Sequence, residues 1–148
     1  MVELSELVKD LEKTQLLYWN NPYLRESQAR AIGVELDEKH AVYLILDKTV
    51  FHPKSGGQPS DRGFITGSDF KAEVKKAMMV DGVVVHWGRV IEGEPRSEGV
   101  EAEIDWRLRY LFMRRHTAGH LYDHCLTQVT KNRVETTDSW LGEPCYVG

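Results

Sequence analysis

Disulfide chemistry has little to work with in this chain, whose only cysteines are Cys125 and Cys145. Two thiols make no framework of cross-links, and a reducing cytoplasm is the expected location. No apolar run approaches the length of a membrane span, and the N-terminus lacks the basic-then-apolar order of a secretory signal, so no membrane partner is expected. Positive charge is not in excess: the formal net charge is −4. That balance argues against a high-affinity, non-specific nucleic-acid binder but leaves room for a local basic patch. Internal repeats and low-complexity segments are also missing. What is present, 41% apolar and 28% charged residues in 148, describes a globular protein that can bury a core. The length suits one ordinary domain, or a small domain plus part of another.

Residues Val2 to Leu17 place Leu4, Leu7, Val8, Leu11 and Leu16 at mostly helical intervals, which predicts a short amphipathic helix. Asn20-Asn21-Pro22 stops it, because proline disfavours helix in the residue before it. From Tyr23 to about Asp105 the texture changes to short runs of β-formers. Ala31–Leu36 and Ala41–Leu46 flank Asp37-Glu38-Lys39-His40 and predict a hairpin. Val42-Tyr43-Leu44-Ile45-Leu46 is apolar at successive positions, as in a strand covered on both faces. Further strands are predicted at Gly63–Thr66, Phe70–Met79, Val83–Trp87 and Val100–Ile104, with turns at Gly67-Ser68-Asp69 and Asp81-Gly82. Many short strands at even spacing predict a small antiparallel barrel. From Trp106 a helical pattern, capped by Asp105 and interrupted near His116, runs to about Lys131, with Asn132 as its stop. The domain boundary falls at Asp105: 1–105 is an N-terminal helix plus β-barrel, and 106–148 is too short to close a core of its own.

Two stretches carry chemistry. In Arg114-Arg115-His116-Thr117-Ala118-Gly119-His120 the two histidines are four apart on a helix, separated by roughly 40° of rotation, so both imidazoles leave the same face. Neutral imidazole is a common zinc ligand, yet two ligands are half of a tetrahedral site, and surface histidines on a wet helix face remain an equal reading. Thr117 stands where a zinc peptidase needs glutamate, which excludes that activity. His124 continues the row as an exposed neighbour, whereas Cys125, roughly 140° around from His120, points elsewhere. The second stretch, Asp47 to Gly63, contains Gly56-Gly57, which permit positive φ and close approach of a chain or ligand, beside the polar Gln58, Asp61 and Arg62. A tight β-turn is the plainer reading, and without a lysine at P-loop spacing nucleotide phosphate is not the ligand. Arg107, Arg109, Arg114 and Arg115 form a basic run, part solvated helix face and part candidate phosphate contacts. His52 and His86 are read as ordinary hydrogen-bonded histidines, and Trp87, Trp106 and Trp140 as packing anchors. Asp138 has no assignable role.

Taken together and in order, Asp47–Gly63, Asp105–Arg114 and His116-Thr117-Ala118-Gly119-His120-Leu121 resemble the editing portion of alanyl-tRNA synthetases. They are still more similar to the free-standing AlaX proteins of medium length, as are Thr14-Gln15-Leu16-Leu17-Tyr18 and Asn21-Pro22-Tyr23-Leu24. The resemblance implies a mixed fold, an N-terminal antiparallel β-barrel of the translation-factor kind followed by a two-layer α/β editing domain with one zinc. It also implies an ATP-independent aminoacyl-tRNA deacylase whose partner is alanine tRNA charged with serine or glycine. Carried over by position, His116 and His120 match the first zinc-ligand pair, Gly56 and Gly57 the glycine motif beside the editing pocket, and Thr137 a hydroxyl that senses the serine side chain. Arg114 and Arg115 are the substrate-binding candidates. A pocket that hydrogen-bonds a substrate hydroxyl strongly rejects the analogue without it, which would spare alanyl-tRNA.

The family completes its zinc site with a downstream Cys-x-x-x-His pair, and Cys145 is followed by Tyr146-Val147-Gly148. The sequence therefore reads as a C-terminally truncated form with an incomplete zinc site. Weak or absent zinc binding and severely impaired deacylation are the expectation. The other reading is a non-catalytic module in which the barrel docks tRNA or a synthetase.

Overall fold

The computed structural model describes residues 3–39, 41–54, 58–130, 139–140 and 146–147. Residues divide into two compact units, 1–54 with 60–105, and 55–59 with 106–148. In the first, the helical turn α1 (Leu4–Leu7), strand β1 (Gln15–Leu16) and helical turn α2 (Leu17–Asn20) lead into strands β2 (Glu26–Leu36), β3 (Ala41–Leu46) and β4 (Lys48–Thr49). These are followed by β5 (Gly63–Thr66), β6 (Phe70–Val80), β7 (Val83–Gly93) and β8 (Gly99–Ile104). The second unit holds helix α3 (Trp106–Thr130) and an antiparallel pair, β9 (Ser139–Trp140) with β10 (Tyr146–Val147). Among the described residues no helix is long and apolar enough to cross a membrane.

Six strands close into an antiparallel barrel in the order β2-β3-β7-β6-β5-β8, with β8 returning to β2. Closure leaves no unpaired sheet edge, and period-two patterning fills the interior. Along β8, Val100, Ala102 and Ile104 are buried while Gly99, Glu101 and Glu103 are exposed. The predicted hairpin forms with Val34 opposite Leu44. Its loop is held by Asp37, whose Oδ1 accepts from the Lys39 and Ala41 amides at 2.8 and 2.9 Å. Asp81 and Gly82 join β6 to β7 with φ of 50° and 81°, the positive pair that a twisted two-residue hairpin requires. Gly88 sits where an added Cβ would run into the Glu73 carbonyl on β6, beside the register shift between Val74 and Lys76.

β3 is covered on both faces, and the cover for its outer face comes from the N-terminal segment. Val8, Ile45, Val83 and Val85 form a buried cluster outside the barrel, packed by Leu4, Leu7, Leu11, Ile32, Tyr43 and Val80. Each such fully buried aliphatic side chain contributes about 1.5–3 kcal/mol relative to exposure. The amphipathic pattern of the segment is thus used, but not as one helix over Val2–Leu17. Helix stops after Leu7, Asp10 takes φ of 65°, and the backbone then pairs with the barrel. The Thr14 amide donates to Gly82 O at 3.1 Å, the Val84 amide donates to Thr14 Oγ1 at 2.9 Å, and Gln15 lies parallel to Lys48. A helix this short is marginal on its own, so these tertiary bonds decide where it ends.

Inside the barrel His86 is fully buried and fully satisfied. Its Nδ1–H donates to Leu44 O at 2.9 Å and its Nε2 accepts from Thr49 Oγ1 at 2.8 Å. Thr49 Oγ1 in turn accepts from the Phe51 amide at 3.0 Å. Burial lowers the His86 pKa from 6.5 to about 4, against the smaller raising effect of the bond to Leu44. The expectation of an ordinary hydrogen-bonded histidine holds here.

Candidate functional site

Residues 55–59 belong to the second unit, and the flanking Lys54 and Ser60 are both tied to one residue of β6. The Lys54 amide donates to Ala77 O at 3.1 Å, while the Ala77 amide donates to Ser60 Oγ, also at 3.1 Å. The base is pinched again by Asp61, whose Oδ2 accepts from the His52 amide at 2.7 Å and whose amide donates to His52 O at 3.0 Å. Asp61 is therefore a buried structural anchor and not one of the polar groups displayed beside the glycines. Ser60 and Asp61 carry the signal sequence reasoning missed: short polar residues next to glycines commonly satisfy loop backbone. Gly56 and Gly57 themselves lie outside the described residues, as do Thr137, Asp138, Cys145 and the expected stop at Asn132.

α3 runs without interruption from Trp106 to Thr130, so the expected break near His116 does not occur. Gly119 lies inside the helix, where glycine costs about 1 kcal/mol relative to alanine. Thr117 bonds back to its own helix, Oγ1 donating to Met113 O at 3.1 Å, which leaves nothing in the glutamate's place. The spacing argument for the histidines is met in detail: His116 Nε2 and His120 Nε2 are 2.8 Å apart, the rings 4.6 Å centroid to centroid. Both side chains are exposed.

Gln58 adds what spacing could not reveal. Its Oε1 lies 3.3 Å from His116 Nδ1, and a carbonyl oxygen only accepts, so that bond exists with the proton on Nδ1. His116 then presents a lone pair at Nε2 on the side of His120. An imidazole that donates its far N–H to a carbonyl while aiming the near nitrogen at a shared point has the arrangement of a metal ligand. Two nitrogens on a tetrahedral zinc lie roughly 3.3 Å apart, so the pair is within about half an ångström of that separation. The donors fit half of a zinc site. Among the described residues no group of three or more His, Cys, Asp or Glu completes one. His124 and Cys125, next along the helix, are both exposed.

The basic run does not form a single surface. Arg107 and Arg114, seven residues apart on one helix face, are exposed, Arg115 is half-buried, and Arg109 is only 2% exposed. Burial removes Arg109 from the candidates for a phosphate contact. The Arg114 guanidinium stands over the Tyr110 ring at 5.9 Å, a cation–π contact on an exposed side chain.

The family described as tRNA synthetases class II (A) matches residues 3–108, most of the chain. The chain belongs to that family. Individual relatives extend the match through α3. The alanine–tRNA ligase of Pyrobaculum neutrophilum is 37% identical over 135 residues, covering 90% of this chain. The alanyl-tRNA editing protein AlaX-L of Pyrococcus horikoshii is 39% identical over 115 residues, or 76% of this chain. The alanine–tRNA ligase of Pyrococcus abyssi is 38% identical over 140 residues. This member of the class II (A) tRNA synthetase family spans 14% of the length of each ligase and 28% of the editing protein.

Proposed function

We propose that this chain serves the editing of alanine tRNA, hydrolysing in trans the ester that joins serine, or glycine, to that tRNA. The observation that carries the reading is the convergence of His116 Nε2 and His120 Nε2 at 2.8 Å with His116 Nδ1 already engaged by Gln58. It stands on a chain similar to a relative named for alanyl-tRNA editing. A zinc ion held by His116 and His120 would supply Lewis acidity at the ester carbonyl or at an attacking water. The exposure of both rings leaves the point between them open to an aminoacyl end. Arg114, and at the edge Arg115, would neutralise phosphates near the acceptor terminus. Gly56 and Gly57 would let backbone approach the amino acid closely. Thr137 would hydrogen-bond a seryl hydroxyl that an alanyl ester lacks.

The test is deacylation of Ser-tRNA(Ala) and Gly-tRNA(Ala) with zinc supplied, by this chain and by the chain continued through a Cys-x-x-x-His segment. Hydrolysis above the spontaneous rate in either form, lost in His116→Ala and His120→Ala, is the expected outcome. Binding of tRNA without histidine-dependent turnover in both forms would replace the enzyme with the non-catalytic tRNA- or synthetase-binding module.

A further inference from the structure

We propose that Gln58 is a positioning residue that sets the tautomer of His116, so that the two histidines enter metal binding in unequal states. This deepens the reading above and rests on it for the metal, though not for the tautomer. Gln58 Oε1 carries no hydrogen, so its 3.3 Å contact with His116 Nδ1 is a hydrogen bond only when Nδ1 is protonated. A neutral imidazole has one N–H, which leaves His116 Nε2 as an acceptor. If the two Nε2 atoms, 2.8 Å apart, share a hydrogen bond in the metal-free protein, its donor is then His120 Nε2–H.

In the metal-free protein His116 is thus preset, its Nε2 lone pair directed outward. His120 is not: its Nε2 holds the proton that occupies the shared point. A metal held by the two Nε2 atoms would need no change at His116 and would need His120 in its Nδ1–H tautomer. Gln58 is itself well placed to hold its partner, being buried and following directly on Gly56-Gly57 in the sequence.

The experiment is nitrogen NMR of the imidazoles at pH 8 in the full chain without metal, then with zinc(II) alone. Wild type is expected to show His116 as the Nδ1–H tautomer and His120 as the Nε2–H tautomer. Zinc should leave the first unchanged and convert the second. Gln58→Leu should mix the His116 tautomers and weaken zinc binding about 10- to 100-fold, while Gln58→Glu, which keeps an acceptor, should retain the tautomer. The His86 Nδ1–H signal, from inside the barrel, reports in each variant that the fold is intact. An unchanged His116 tautomer in Gln58→Leu overturns the proposal, and so does the Nε2–H tautomer at His116 in wild type. If the tautomer depends on Gln58 but wild type takes up no zinc, the positioning role stands and the metal reading of the proposed function falls.

Discussion

Along β3 the side chains of Val42, Leu44, Ile45 and Leu46 are at most 1% exposed, whereas on α3 Leu121, Tyr122 and Val129 are 60%, 55% and 80% exposed. The barrel strands are paired to their neighbours on both sides and packed within by alternate residues. The helix satisfies its backbone by itself and displays its histidines to water. The contrast separates a close-packed barrel from a helix whose side chains face solvent. In the barrel each side chain is fixed by several others, so single changes propagate. On the helix the informative contacts are few and are made by specific atoms: one imidazole to another, and one imidazole to Gln58.

The sharpest break in this contrast comes from the barrel. Phe51 is fully buried and lies edge-on to His86 at 5.1 Å, so Phe51→Ala should cost about 3–5 kcal/mol, from lost transfer energy and the cavity left behind. Urea unfolding measures it, and a loss under about 1 kcal/mol would show that this centre is not close-packed.

A comparable effect is expected from acid. His86 titrates at about 4 when folded and near 6.5 when unfolded, so the unfolded chain binds the extra proton in that interval. Its contribution is fully present above pH 6.5 and falls as the pH drops, by about 3 kcal/mol at pH 4. The His86 imidazole should remain neutral by NMR in the folded protein at pH 5. Finding it protonated there with the fold intact would contradict the Thr49–His86–Leu44 network.

The smallest effect is expected on the helix. His120→Ala should change stability by no more than about 0.5 kcal/mol, because its ring is exposed, whereas His116→Ala also removes the partner of buried Gln58 and should cost about 1 kcal/mol. A loss above about 1 kcal/mol from His120→Ala, measured by the same unfolding, would mean that this ring supports the fold.

Most of the barrel was legible because its signals are local. Alternation marks Gly63–Thr66 and Val100–Ile104, and Asp81-Gly82 announces the positive φ values its turn adopts. The continuous apolar run of β3 correctly implied two covered faces. The N-terminal helix was over-read: Leu4, Leu7, Val8 and Leu11 do bury one side, but a one-turn helix and a bend at Asp10 achieve that once Thr14 and Gln15 bond elsewhere. In the candidate site, His116 and His120 were legible because helical periodicity alone brings positions four apart together. Gln58 was noticed only as polar, and its partner lies 58 positions away, beyond any local pattern. Arg109 looked equivalent to Arg107, since periodicity places residues on faces without saying which faces are covered.

The sequence by itself determined that a barrel of strands precedes Asp105, where its hairpins turn, that a helix follows, and that two imidazoles share a side of it, although β2 begins at Glu26 and β7 runs on to Gly93, beyond the bounds expected. Each depends on φ/ψ preferences and side-chain periods acting over a few residues. Only the tertiary structure decided where the first helix stops, that Asp61 bonds back to the His52 backbone, and that Gln58 meets His116 Nδ1. Those outcomes depend on hydrogen-bond partners distant in the chain, and a polar atom's role is fixed by the atom that folding brings opposite it.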